Sequence, residues 1–374
     1  MKNIMKCVVL ILFLMILLLY PAPIIAATKT GFLTWAEKVI PALFPFFVLT
    51  RLMIYFQVPQ MIGKCLAPIF KYLLKISPIT FFIMLMSLIS GNPSGPKMAR
   101  EYYDKHLISE REMIGLLYFC NFASPLFIIG TIGVVLYESS QIGYFLLISH
   151  VVGSFIVFLL CYPYFKSNEV RNFSIEFPTQ SFATILIDCI ESSMQTLIRV
   201  GGIIVFYYII SEALQVIHVI DILDLILKPV LIGLQLQTIE PLFAGLLEFT
   251  QGVTKLADIE ASLYIKLALT AFIISFTGLS VHTQTFMFSK GLNISYLKFV
   301  TFRIFHGLAS TILLLLSFPL LNITEDVFLP LPEENTLIAS PLVNITISIL
   351  IIYLALLLLR FIYQTLTKRQ QITY

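Results

Sequence analysis

Ser90-Gly91-Asn92-Pro93-Ser94-Gly95-Pro96-Lys97 interrupts an otherwise apolar segment with residues that helices avoid. Residues 79–89 before it are almost entirely apolar and make a helix of about 16 Å at 1.5 Å per residue, roughly half a bilayer core. Pro93 and Pro96 donate no backbone hydrogen bond, Gly91 and Gly95 permit non-helical dihedrals, and Asn92 and Ser94 satisfy stranded backbone groups. Irregular backbone at membrane depth survives only where protein or a water-filled cavity surrounds it. The stretch therefore reads as a break inside a membrane and as a candidate binding site.

Working outward, the 374 residues are 58% hydrophobic and 12% charged, with a mean hydropathy of +0.93. Soluble domains do not have this composition, so the chain is an all-α polytopic membrane protein. A formal charge of +3 gives no reason to expect a nucleic-acid partner. Cys7, Cys65, Cys120, Cys161 and Cys189 lie in or beside apolar runs without metal-ligand spacing and read as packing residues. No cofactor or metal is expected. No HExxH, GxSxG, P-loop or dinucleotide motif occurs, and Ser280 with His282, two apart on a helix, face different ways, so no enzyme is expected.

Residues 1–27 form an N-terminal membrane helix, a signal anchor by its lack of a small-x-small cleavage site, with Lys2 and Lys6 holding the N-terminus in the cytoplasm. Residues 35–165 are a first unit. It contains a kinked segment with Arg51, which either snorkels or finds a partner, and an amphipathic interfacial helix at 63–76. The break at 90–97 follows, then an exposed connector at 98–112 with a Ser109/Glu112 capping box, and a second break at 120–125 around Asn121 and Pro125. A polar linker, 166–180, marks the middle. The second unit, 181–320, opens with one kinked span or two pieces around Gly201-Gly202, and has breaks at 248–255 and 275–284. An acidic loop at 321–336 without Lys or Arg lies outside. A C-terminal membrane helix, 337–360, then leads to a basic cytoplasmic tail, 361–374, with Arg360, Lys368 and Arg369 placing the C-terminus inside.

The two units repeat one order: interfacial helix, short half-helix, polar break, connector, apolar helix, second break. Gly91 pairs with Gly252 at the offset that pairs Pro68 with Pro229. Gly- or Pro-interrupted segments at matching places in two halves point to the substrate site of a repeat-built transporter. The contact residues expected there are Asn92, Ser94, Asn121, Glu248, Thr250, Gln251, Thr277 and Gln284, mostly neutral hydrogen-bonding groups that suit a sugar, base or headgroup. Gly91, Pro93, Gly95, Pro96, Pro125, Gly252 and Gly278 make the breaks. Glu248 ends an apolar run, so it is protonated, bound to a solute, at an interface, or paired with Lys255 or Lys97. Arg303 is assigned to the membrane interface, and His282 and His306 are too isolated for a metal site.

The runs Pro41-Ala42-Leu43-Phe44-Pro45-Phe46-Phe47-Val48-Leu49, Ser90 to Lys97, and Phe119-Cys120-Asn121-Phe122-Ala123-Ser124-Pro125-Leu126-Phe127-Ile128-Ile129-Gly130 together resemble the YlbJ-type sporulation integral membrane proteins of endospore-forming bacteria. The resemblance covers roughly residues 35–309 and is strongest over 41–130. That family carries the nucleoside recognition, or Gate, domain also found in concentrative nucleoside transporters and some ferrous-iron transporters. The resemblance implies a Gate-domain, nucleoside-transporter-like fold with discontinuous or re-entrant helices. It also implies a role in spore cortex formation in the mother-cell or outer forespore membrane of a sporulating bacterium. Nucleoside binding follows only by analogy, and the family commonly has tyrosine or alanine where Asn92 and Ser94 stand, so a solute touching them would differ. The expected function is binding or moving a polar solute or lipid-linked intermediate in contact with membrane lipids. The alternative is a scaffold that recruits cortex-assembly membrane proteins through its exposed connectors.

Overall fold

Lys2–Leu19 forms the first helix, α1, and most of its apolar side chains from Val8 to Leu19 are exposed, as a helix facing lipid requires. The structure, a computed structural model, describes residues 2–58, 61, 75–166, 179–233 and 236–320. The acidic loop 321–336, the C-terminal helix 337–360 and the tail 361–374 lie outside the described residues, as do nearly all of the interfacial helix 63–76 and the linker 166–180. Among the described residues the chain is helical, with one isolated backbone bridge between Ile76 and Lys166. Contacts divide the chain into Met1–Leu315 and Leu316–Tyr374, and of the second unit only its first few residues are described.

Tyr20 leaves the helical conformation and Pro21 starts the next helix, so the expected helix 1–27 is divided there. From that point Pro21–Tyr55 (α2) runs unbroken for 35 residues, straight through the expected boundary between residues 27 and 35. Pro41 and Pro45 do not interrupt it: Pro41 stands in the first turn after the wide π-turn Trp35–Val39, where Ile40 N donates to Trp35 O, and the helix continues through Pro45 to Tyr55. Its partner Phe182–Val216 (α8 in the order below) is equally long, about 52 Å. Of the two expected forms, it is one span and not two pieces around the glycine pair. Gly201 lies under the Trp35 ring, where a Cβ would come within 2.5 Å of Cε2, and Trp35 Nε1 donates to Leu197 O at 2.9 Å.

Between these long helices run α3 (Pro78–Ser90), α4 (Ser94–Asp104), α5 (Glu110–Phe119), the π-helical α6 (Phe127–Leu136) and α7 (Ser140–Phe165). After α8 come α9 (Val219–Gly233), α10 (Glu240–Leu247), α11 (Phe249–Asp258), α12 (Leu263–Phe276), α13 (Gly278–Phe286) and α14 (Tyr296–Ser317). Among the described residues five stretches are long and apolar enough to cross a membrane: Pro21–Tyr55, Ser140–Phe165, Phe182–Val216, Leu263–Phe286 and Tyr296–Ser317. A core of Phe82, Ile83, Met113, Leu116, Leu117, Phe122 and Phe165 joins α3, α5 and α7. A second cluster, with Leu43, Phe47, Val200 and Ile204, joins α2 to α8.

The interruptions are narrower than the polar stretches. Gly91 (φ +74°) ends α3 and α4 begins at Ser94, with a cis Asn92–Pro93 bond between. Gly95 and Pro96 therefore sit in the first turn of a helix, where a missing N–H costs little. Glu248 alone separates α10 from α11, and Thr277, left-handed at φ +71°, alone separates α12 from α13. Residues 120–124 form the remaining gap. There Ser124 Oγ accepts from Phe127 N at 3.2 Å, and Pro125 follows in a first-turn position. The connector at 98–112 is not the exposed loop expected, since Met98, Ala99 and Tyr102 are buried on one face of α4. The Ser109/Glu112 capping box opens α5, and Glu112 also accepts from Thr80 Oγ1 at 2.9 Å.

Candidate functional site

Each interruption lies against another. Asn92 N donates to Phe122 O at 2.8 Å, and a Cβ on Gly91 would meet Ser124 N at 2.8 Å. In the second half, a Cβ on Gly278 would meet Gly245 O at 2.9 Å and Leu247 O at 3.2 Å. Both glycines have positive φ and admit a neighbouring backbone that any side chain would exclude. The helices that follow are fastened in the same way. A Cβ on Gly95 would meet Ser87 Cβ at 2.6 Å, and one on Gly252 would meet Gly245 Cα at 2.1 Å.

A cavity of about 30 Å³ opens where these crossings approach one another. Its wall takes Asn92 and Ser124 from the first two interruptions, Phe249 and Thr250 from beyond the third, and Gln284 from α13. Val39, Leu43, Val200 and Ile204 of the two long helices close the apolar side. The space holds about one or two waters; a sugar or base enters only if the helices part.

Asn92 is 8% exposed, and neither its Oδ1 nor its Nδ2 has a hydrogen-bond partner. An amide desolvated without partners costs about 1–3 kcal/mol. Thr250 links the cavity to Glu248, whose carboxylate accepts from Thr250 Oγ1, from Gln251 N at 2.8 Å and from Ser280 Oγ at 3.5 Å. Glu248 is 0% exposed. Neither expected ion pair is made: Lys255 pairs with Glu240, and Lys97 reaches Thr196 Oγ1 and Ser192 O. The carboxylate instead caps α11. Gln251 is buried beside it with Oε1 unpartnered.

The other expected contacts fall elsewhere. Asn121 Nδ2 donates to Leu117 O at 2.7 Å and its Oδ1 accepts from Thr285 Oγ1, so this amide is spent on holding α5 to α13. Thr277 Oγ1 donates to Phe276 O at 2.6 Å, and its part is the sharp turn. Ser94 lines a different recess with Thr50, Arg51 and Lys97. Arg51 finds a partner, Glu101 Oε1 at 2.5 Å.

Arg303 is not at an interface. It is 0% exposed and donates to Tyr118 O at 3.0 Å and Asn121 O at 2.9 Å. The C-terminus of α5 leaves carbonyls without donors, and a guanidinium opposite the negative end of the helix dipole satisfies them. His306, one turn on, donates from Nε2 to His150 O at 2.9 Å, and His150 Nδ1 meets Ser275 Oγ at 2.8 Å. The signal was present in the sequence: Arg303 and His306 are three apart on one face of an apolar helix. Ser280 carried no local signal, since its partner Glu248 lies 32 positions away; Thr50, whose Oγ1 has no partner, carried none either. Among the described residues no group of three His, Cys, Asp or Glu could hold a metal ion.

A chain that is helical among its described residues, with five membrane-length apolar segments there and polar groups gathered where its shorter helices stop, is an integral, multi-pass membrane protein in contact with lipid. It is 30% identical over 329 residues to the sporulation integral membrane protein YlbJ of Bacillus subtilis (strain 168), an alignment covering 82% of this chain and 81% of that protein. The chain belongs to the YlbJ family of sporulation integral membrane proteins. No family profile matches it, and no solved structure does.

Proposed function

We propose that this protein acts in sporulation, in the mother-cell or outer forespore membrane, as a transporter-like component of spore cortex formation. It binds, and moves, a polar solute or lipid-linked intermediate at the Asn92 cavity. The observation that carries the reading is the Asn92 amide, buried with both polar atoms unpartnered at a cavity walled by residues of the first two interruptions and of α11 and α13, the helices after the other two. The repeated order of half-helix, break and helix on either side of α8 supports a repeat-built, Gate-like architecture with re-entrant helices. Glycine-mediated crossings in both halves, at Gly91 and Gly278, support it further. Family membership supplies the sporulation context. Asn92, Thr250 and Gln284 are the contacts, with Glu248 behind Thr250. The cavity is closed in this conformation, and solute entry requires the helices around it to separate. Both termini lie in the cytoplasm in this reading, and no chemistry is done on the solute.

The scaffold alternative has less surface to work with, because one face of α4 is buried. Complementation of a null strain tests the two. Asn92→Ala and Glu248→Gln are expected to reach wild-type abundance in the membrane while heat-resistant spores are lost. Wild-type resistance from both variants would refute the transporter reading and turn attention to the connectors.

A further inference from the structure

A recess of about 20 Å³ lies beside α4, separate from the Asn92 cavity, with Thr50, Arg51, Ser94, Lys97, Glu101 and Ser193 in its wall. Its charge is lopsided. Arg51 is bridged to Glu101, but Lys97 has no carboxylate partner and reaches only Thr196 Oγ1 and Ser192 O. Arg199, exposed on α8, adds a third positive charge within electrostatic reach of Lys97. Asp188, a carboxylate also exposed on α8, acts with Arg51 and Glu101 on the neighbouring Cys189. Thr50 is 3% exposed, and its Oγ1 has no partner although it faces the recess.

The end of α4 does not by itself make an anion site here, since Ser94 N already serves Gly91 O and Lys97 N serves Pro93 O. What remains are side-chain donors of different kinds converging on one space: a guanidinium, an ammonium and the hydroxyls of Thr50 and Ser94. That set suits a tetrahedral anion with several acceptor oxygens better than a planar, two-oxygen carboxylate. We propose that this recess is a phosphate-binding subsite, in which Arg51 and Lys97 take the phosphoryl oxygens and Thr50 and Ser94 complete the donor set. Arg51 keeps its bridge to Glu101 with one nitrogen and offers the others. Lys97 swings off Thr196 to make room. Arg51 and Glu101, both partly exposed, form the entrance, near the end of a membrane-length helix, where headgroups and soluble phosphates both reach. The subsite goes beyond the polar-solute reading and stands or falls separately from it.

The test uses the purified full chain with two probes: inorganic phosphate in detergent, and phosphatidylcholine nanodiscs with or without phosphatidic acid. Arg51→Gln and Lys97→Gln are expected to weaken binding about tenfold each, and Lys97→Arg to retain most of it. Arg100→Gln removes a charge from the same helix, but one paired with Asp104 outside the recess, and should bind as wild type. Binding of free phosphate identifies a soluble source, and enrichment of phosphatidic acid alone identifies a lipid headgroup. If Lys97→Gln does not fold, Arg51→Gln, whose pair is partly solvated, carries the comparison. Wild-type protein that binds neither probe, or an equal loss in Arg100→Gln, overturns the proposal.

Discussion

Two asparagines at adjoining interruptions should respond in opposite ways to the same substitution. Asn121→Ala removes the bond to Leu117 O and strands Thr285 Oγ1, which otherwise donates to Asn121 Oδ1. Each of the two lost bonds costs about 0.5–1.5 kcal/mol, and a buried hydroxyl left unpaired adds about 1–3 kcal/mol, so the variant should lose about 2–6 kcal/mol. Asn92→Ala removes an amide that bonds to nothing. No bond is lost, the desolvation penalty of the amide disappears, and stability should be unchanged or higher by about 1 kcal/mol. The backbone bond from residue 92 to Phe122 O survives, because alanine keeps the N–H. The assay is thermal unfolding of each purified full-length variant in one detergent, followed by monodispersity on size exclusion. A destabilised Asn92→Ala, or an Asn121→Ala as stable as wild type, would refute the division into an unpartnered amide and a structural one. Stable Asn92→Ala that fails to support sporulation would connect the strain of that amide to function.

Other outcomes follow from packing and capping. Gly252→Ala places a methyl 2.1 Å from Gly245 Cα, against backbone that cannot yield, and should cost about 3 kcal/mol or more and cut membrane abundance. Gly202→Ala meets nothing within 4 Å and should be neutral or gain up to about 1 kcal/mol from helix propensity; fluorescent-fusion abundance and melting compare the pair. Arg303→Met strands two buried carbonyls at about 1–3 kcal/mol each, and Arg303→Lys should recover part of that loss, as read from melting temperature. In a Cys65→Ser background, membrane-permeant maleimide should modify exposed Cys7 and spare Cys120, Cys161 and Cys189 until the protein is denatured, as mass spectrometry would show.

Glycine carried different meanings that the sequence alone could not separate. Gly91 and Gly278 stand at positive φ where chains cross, Gly95 and Gly252 lie inside helices at close approaches, and Gly201 makes room for Trp35. All are a missing Cβ in a polar or apolar run, and only the neighbour distinguishes them. Polar residues divided likewise. Asn92 and Asn121 are the same side chain at neighbouring interruptions, yet one faces a cavity unpartnered and the other is bonded at both ends.

Hydrophobic run length, proline and glycine placement and capping residues act locally. For that reason the sequence by itself determined that the chain is helical and membrane-embedded, where its short helices stop, and that Ser109 caps a helix with Glu112. Breaks narrowed from polar stretches because few residues, among them Gly91, Glu248, Thr277 and Gly278, leave helical dihedrals, while Gly95, Pro96 and Pro125 sit in first turns. Which polar groups meet was decided by tertiary structure alone. Arg303 reaches carbonyls more than 180 positions away, and Asn92 shares a wall with Gln284. Such pairings depend on how whole helices cross, a long-range balance of packing and hydrogen bonding that no local pattern encodes.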